Sequence, residues 1–121
     1  MNYNIKGTGI AITPELREYV ERRLAAHVDK FLARDSTALV EIELQYEAVR
    51  DGGRYGSEFT VSAGDAIYRA HEWGTTMHEA IDLAVSRLSG ELARNKKKRL
   101  HVLRRGAVKV KEYLRGWRNK L

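Results

Sequence analysis

The spacing of apolar residues changes period several times along the chain, and each change predicts an element. Tyr3 to Lys6 alternates apolar and polar positions and predicts a short strand, after which Gly7 and Gly9 loosen the backbone. Thr13-Pro14 predicts a helix start: threonine accepts from free backbone N–H groups, and proline suits the first helical position. Leu16, Val20, Leu24, Val28 and Phe31 then recur at helical spacing, with Tyr19 at the stripe's edge, so the helix is expected to run to about Arg34. From Leu39 to Tyr46 the period falls to two. Val40, Ile42, Leu44 and Tyr46 share one face of this strand, and Glu41, Glu43, Gln45 and Glu47 the other. Asp51-Gly52-Gly53 reads as a turn, and Tyr55 to Ala63 as the next strand, with Phe59 and Val61 inward. Gly64-Asp65 fits a two-residue hairpin into a strand from Ala66 to Glu72, with Tyr68 and Ala70 inward and Arg69 and His71 outward. Trp73-Gly74 leads into the longest stretch, Thr76 to Arg105. There Met77, Ala80, Ile81, Ala84, Val85, Leu88 and Leu92 line one helical face, Thr76 and Glu79 have the form of a capping box, and Gly106 is a natural stop.

The elements predict an α+β fold of order β-α-β-β-β-α: a four-stranded sheet with two helices on one face and the other face open. One domain over residues 1–106 is expected, followed by a short basic segment, 107–121, in which Val108, Val110, Tyr113, Leu114 and Trp117 are set among Lys109, Lys111, Arg115 and Arg118. The chain has no cysteine, which excludes disulfide frameworks, thiolate metal sites and cysteine nucleophiles. No stretch has the length of a bilayer span or the form of a secretory signal, so a cytoplasmic protein without a membrane partner is expected.

Charge divides the chain unevenly. Residues 1–86 hold nine Lys and Arg against fourteen Asp and Glu, a net of −5, whereas residues 87–121 hold thirteen against two, a net of +11. A helix dipole draws cations only to the last turn, so it does not account for a stripe that reaches back to Arg87. At about 100° per residue, Arg87, Arg94, Lys98 and Arg105 fall on one flank of the long helix, with Lys96, Lys97 and Arg99 crowding its final turns. Arg23, His27, Lys30 and Arg34 make a second basic flank on the first helix, diluted by Glu18, Glu21 and Asp29. Such a surface suits a polyanion, nucleic acid before an anionic membrane. A-form RNA, read through its shape and phosphates, fits cations on rigid helices. The cations expected to bind RNA are Arg23, Lys30, Arg87, Arg94, Lys97, Lys98 and Arg105. Arg87 and Arg94 carry the most weight, because a guanidinium forks onto phosphate oxygens. Tyr55, Trp73 and Trp117 are of a type that stacks on bases but more commonly packs.

No catalytic residue, cofactor or small-molecule substrate is expected. His78-Glu79-Ala80-Ile81-Asp82 echoes a zinc-protease helix, with Asp in place of the second His, but no third ligand is evident and Glu79 has a role in the cap. His27, His71 and His101 show no ligand spacing. Two functions remain open from the residues alone: a double-stranded-RNA binder and an oligomerising module.

The ordered patterns also resemble the ribosome hibernation factor family (ribosome-associated inhibitor, or protein Y). The similar stretches are Gly7 with Ile12-Thr13-Pro14-Glu15-Leu16-Arg17-Glu18-Tyr19-Val20, Tyr68-Arg69-Ala70, and Met77-His78-Glu79-Ala80-Ile81-Asp82-Leu83-Ala84-Val85 continuing through Arg87-Leu88 and Glu91-Leu92. The resemblance spans about residues 3–100. It implies a fold related to double-stranded-RNA-binding domains, and a non-enzymatic protein, expected as a monomer, that binds the small ribosomal subunit and its ribosomal RNA. Such factors lie between head and body, over the transfer-RNA and messenger-RNA sites, and silence idle ribosomes. It further implies phosphate-holding roles for Arg23, Arg87, Arg94 and Lys98. Gly90 departs from the pattern, standing where relatives often carry a cation.

Overall fold

The computed structural model describes residues 2–50 and 52–105, with only the helix backbone described for 96–105. The elements are β1 (Asn2–Thr8), α1 (Pro14–His27), α2 (Asp29–Leu32), β2 (Leu39–Val49), β3 (Gly52–Ala63), β4 (Ala66–Gly74) and α3 (Met77–Arg105). The strands form one sheet in sequence order. β1 runs parallel to β2, and the other two pairs are antiparallel. A parallel pair needs a crossover, which α1 and α2 supply, whereas β2, β3 and β4 connect as hairpins. The β3–β4 turn is set by Gly64 at φ +59. Because no described non-glycine residue has positive φ, Asp65 does not extend the left-handed stretch, which is the II′ rather than the I′ arrangement.

Period-two burial carries the core. Val40, Ile42, Leu44, Phe59, Val61 and Ala70 point from the sheet into the helix layer and are buried. α3 answers with Ala80, Ile81, Ala84, Val85 and Leu88, all at 0% exposure, and α1 with Val20 and Leu24. Each large apolar side chain buried this way contributes about 1.5–3 kcal/mol before entropy is charged. Among the described residues, Ser57 is the buried polar exception. Its Oγ donates to the Ala80 carbonyl oxygen at 2.6 Å, tying the sheet to the first turn of α3. Both caps form: Leu16 N–H donates to Thr13 Oγ1 at 3.2 Å, and Glu79 N–H to Thr76 Oγ1 at 3.1 Å.

The α+β order stands as expected, with local differences. The first helix does not run unbroken to Arg34. It caps at Val28 (φ −118°, ψ −41°) and restarts as α2. That reset carries Leu32 into the core at 3% exposure, leaving Phe31 half-buried. β2 and β3 also pair further than expected, out to Val49 and Gly52. Gly52 and Gly53 therefore belong to a strand rather than a turn, while Asp51 lies outside the described residues. Glycine at 53 reflects packing: a Cβ there would sit 2.1 Å from Tyr46 Oη, because the Tyr46 ring lies across the position. Beyond the reach of the helices, Tyr46 stays 37% exposed and packs on Tyr55 at 5.0 Å between ring centroids. β4 continues through Trp73 to Gly74. The Glu79 half of the capping box is redirected, its carboxylate accepting from the Thr75 hydroxyl at 3.3 Å.

Candidate nucleic-acid interface

α3 arranges the expected cations. Its buried stripe fixes the helix's rotation, leaving Arg87 and Arg94 exposed on the flank toward β4. Arg87 Nη1 donates to Glu72 Oε1 of β4 at 2.9 Å, with the two side chains 55% and 30% exposed. Arg94 adjoins a shallow recess with Tyr68, Glu91 and Asn95. On the far side of α3, Arg23 of α1 sets its Nε 3.0 Å from Asp82 Oδ1. That N–H makes no hydrogen bond, so the contact is Coulombic; the Tyr19 hydroxyl donates to the same oxygen at 2.6 Å. Asp82 and Arg87 are five residues apart, roughly 140° around the helix. Arg23 and the Arg87–Arg94 pair therefore flank α3 on opposite sides, separated by about a helix diameter, ~10 Å.

Lys30, on α2, is exposed, with its ammonium 5.2 Å from the centroid of the Phe31 ring. The backbone of α3 continues through Lys97, Lys98 and Arg105, whose side chains lie outside the described residues, as does the segment 107–121. The structure thus brings together Arg87 with Arg94, and sets Arg23 apart. Sequence reasoning missed the acidic partners. Glu72 and Asp82 stand far from Arg87 and Arg23 in the chain, by 15 and 59 positions, and no local pattern pairs them. A solvent-facing pair such as Arg87–Glu72 is worth about 0–1 kcal/mol, so a phosphate can replace that carboxylate at small cost, whereas the Arg23–Asp82 pair is part-buried. The remaining N–H groups of each guanidinium stay available to fork onto phosphate.

The Tyr19 hydroxyl has its pKa raised, chiefly by donating to Asp82 and then by burial, and the Tyr3 hydroxyl is raised in the same way by its bond to Glu21. His78 packs edge-on to Tyr19 at 4.3 Å rather than facing a set of ligands, and no cluster of three metal-ligating side chains occurs among the described residues. Trp73 lies on the open sheet face, its ring covered by the Arg54 guanidinium at 3.9 Å and neighboured by His71 at 5.1 Å. Arg54 is held there by Glu47 at 2.9 Å. No described helix is long and apolar enough to cross a membrane.

A two-layer α+β domain that presents guanidinium groups from both sides of one long helix belongs to a class suited to lie against a polyanion. The family is shown by comparison. The chain belongs to the family described as Sigma 54 modulation protein / S30EA ribosomal protein, whose model matches residues 3–100. It is similar to the ribosome hibernation promotion factor of Bacillus subtilis (strain 168), at 30% identity over 98 residues covering 81% of this chain and 50% of the relative. The factor of the same name from Picosynechococcus sp. (strain ATCC 27264 / PCC 7002 / PR-6) is 28% identical with the same coverage. The chain spans about half the length of the curated relatives it matches. Among solved structures, the Thermus thermophilus Protein Y N-terminal domain superposes with a TM-score of 0.64 at 26% identity, covering 78% of this chain and 98% of that one. A ribosomal subunit interface protein from Coxiella burnetii gives 0.66 at 22%, covering 80% and 99%, and bears on the fold alone.

Proposed function

We propose that this chain is a ribosome-associated translation inhibitor that binds the small ribosomal subunit through ribosomal RNA and blocks the transfer-RNA and messenger-RNA sites during stasis. The observation that carries the reading is the family match across residues 3–100, whose curated relatives are named ribosome hibernation promotion factors. The structure supports it with a rigid frame: α3 is seated on buried side chains from Met77 to Leu92, so the cations on its flank hold their spacing without help from a ligand. Inhibition of this kind is occupancy, with no bond made or broken. Arg23, Lys30, Arg87, Arg94, Lys97, Lys98 and Arg105 are assigned to phosphate, and affinity comes largely from counterion release.

The test is cosedimentation with purified small subunits across a salt series, with free duplex RNA as competitor. Binding that weakens steeply with salt yet survives excess duplex is the expected result. Loss of the subunit to duplex at equal phosphate concentration would identify a general double-stranded-RNA binder instead. A translation assay on the same material is expected to fall as occupancy rises.

A further inference from the structure

Where α2, the β3–β4 hairpin and α3 converge, the fold forms a half-open cavity of about 450 Å3. Its floor is apolar, since Leu32 and Leu92 are buried there, and Ala63 lies on its wall. Phe31 and Tyr68 add two aromatic rings. The exposed Lys30 and Arg34 stand at its rim, and none of the described residues that line it carries a carboxylate. Asn95 of α3 donates its amide to the Tyr68 hydroxyl, and this pair forms the wall shared with the shallower recess, about 220 Å3, beside Arg94.

We propose that this cavity is a binding site for one nucleotide unit, its base in the aromatic interior and its phosphate against Lys30 and Arg34. The volume falls in the range of small-molecule pockets, which combine an apolar lining with a few placed polar groups. A bare phosphate would leave the apolar floor uncovered, and a neutral ring would leave the rim cations unused. Besides the N–H that bonds Tyr68, the Asn95 amide has a carbonyl oxygen and a second N–H, an acceptor and a donor of the kind that matches the edge of a base. The chain's own segment 107–121 is a poor occupant, because Lys109, Lys111, Arg115, Arg118 and Lys120 share the sign of the rim. The unit has two sources: a free nucleotide, or a nucleotide of single-stranded RNA turned out of its stack. Neither source requires the ribosomal reading.

Amide NMR of the full chain, titrated with the four nucleoside monophosphates, the matching nucleosides and inorganic phosphate, tests the site. Saturable shifts at Phe31, Ala63, Tyr68 and Asn95 are expected with at least one monophosphate, with the nucleoside and phosphate at least tenfold weaker. A single-stranded hexaribonucleotide that moves the same amides at lower concentration assigns the site to RNA; one that binds more weakly assigns it to free nucleotides. Ala63→Leu, which fills the cavity, and Arg34→Ser, which removes rim charge, are each expected to weaken the nucleotide at least tenfold. If Ala63→Leu fails to fold, Arg34→Ser decides. Neither position is among the cations assigned to the ribosome, so cosedimentation of the same variants scores that function separately. Absence of shifts with every phosphate-bearing probe, nucleosides binding as tightly as nucleotides, or shifts indifferent to the substitutions would overturn the proposal.

Discussion

Glu72 holds Arg87 from the strand beneath it, and so competes with any anion for that guanidinium. Under the proposed function its removal favours RNA. Glu72→Gln is expected to tighten small-subunit binding about two- to fivefold, the range that corresponds to an exposed charge interaction of some 0.5–1 kcal/mol. Arg87→Gln is expected to weaken binding, and the double substitution to resemble Arg87→Gln, because the carboxylate acts only through the guanidinium. A filter-binding or sedimentation cycle measures all three. At Tyr19 the titration has a defined sign. Donation to Asp82 favours the neutral phenol, so the folded pKa lies above the unfolded value of 10.0. The folded state then holds more protons in that interval, and stability falls as pH rises through the folded pKa. The contribution is fully present below pH 10. Urea denaturation from pH 8 to 11 is expected to show this decline, and Tyr19→Phe to remove part of it.

The elements themselves were mostly legible in the sequence, because each depends on spacing within a dozen residues. The α3 stripe from Met77 to Leu92 is buried as the helical period requires, and the alternation Val40, Ile42, Leu44 marks the inward face of β2. Reading failed where a contact from elsewhere decides the local conformation. The stripe Leu24, Val28, Phe31 is a valid helical pattern, yet the chain resets at Val28 so that Leu32 fills the core. Gly53 looks like turn chemistry until the Tyr46 ring is seen lying across it. Of the candidate site, the cations could be read and their acidic partners could not, since only the fold joins Arg23 to Asp82 and Arg87 to Glu72. Gly90 offers a test at this scale. A Cβ there meets only Arg94 Nη1, at 3.8 Å, so the helix has room for a side chain. Gly90→Ala is expected to raise stability by about 0.5–1 kcal/mol in chemical denaturation, the cost of glycine within a helix, and to leave subunit affinity unchanged. Gly90→Lys is expected to keep most of that gain and also tighten binding, because positions 87, 90 and 94 follow the same flank.

At the scale of the molecule, the surplus charge after residue 87 lies on and beyond one helix whose buried stripe fixes its orientation against the sheet. Under the proposed function, two mechanisms of ribosome binding then differ in their salt response. If affinity came from shape alone, with the sheet or the Trp73 face docking on protein, ionic strength would alter it little. If the α3 flank grips phosphate, log K falls linearly with log salt, and each lost phosphate contact reduces the slope by about 1. Charge reversal of Arg87, Arg94 and Lys98 together is therefore expected to remove detectable subunit binding at physiological salt. In dilute salt, where residual affinity is measurable, it is expected to lower the slope by about three. Stability is expected to change little from Arg87 and Arg94, both exposed and off the apolar stripe, and circular dichroism with a melting curve checks that the fold survives. A triple variant that binds with the parent's affinity and slope would take the interface off α3 altogether. One that loses affinity while keeping the slope would locate the phosphate contacts elsewhere on the chain, with α3 acting through shape.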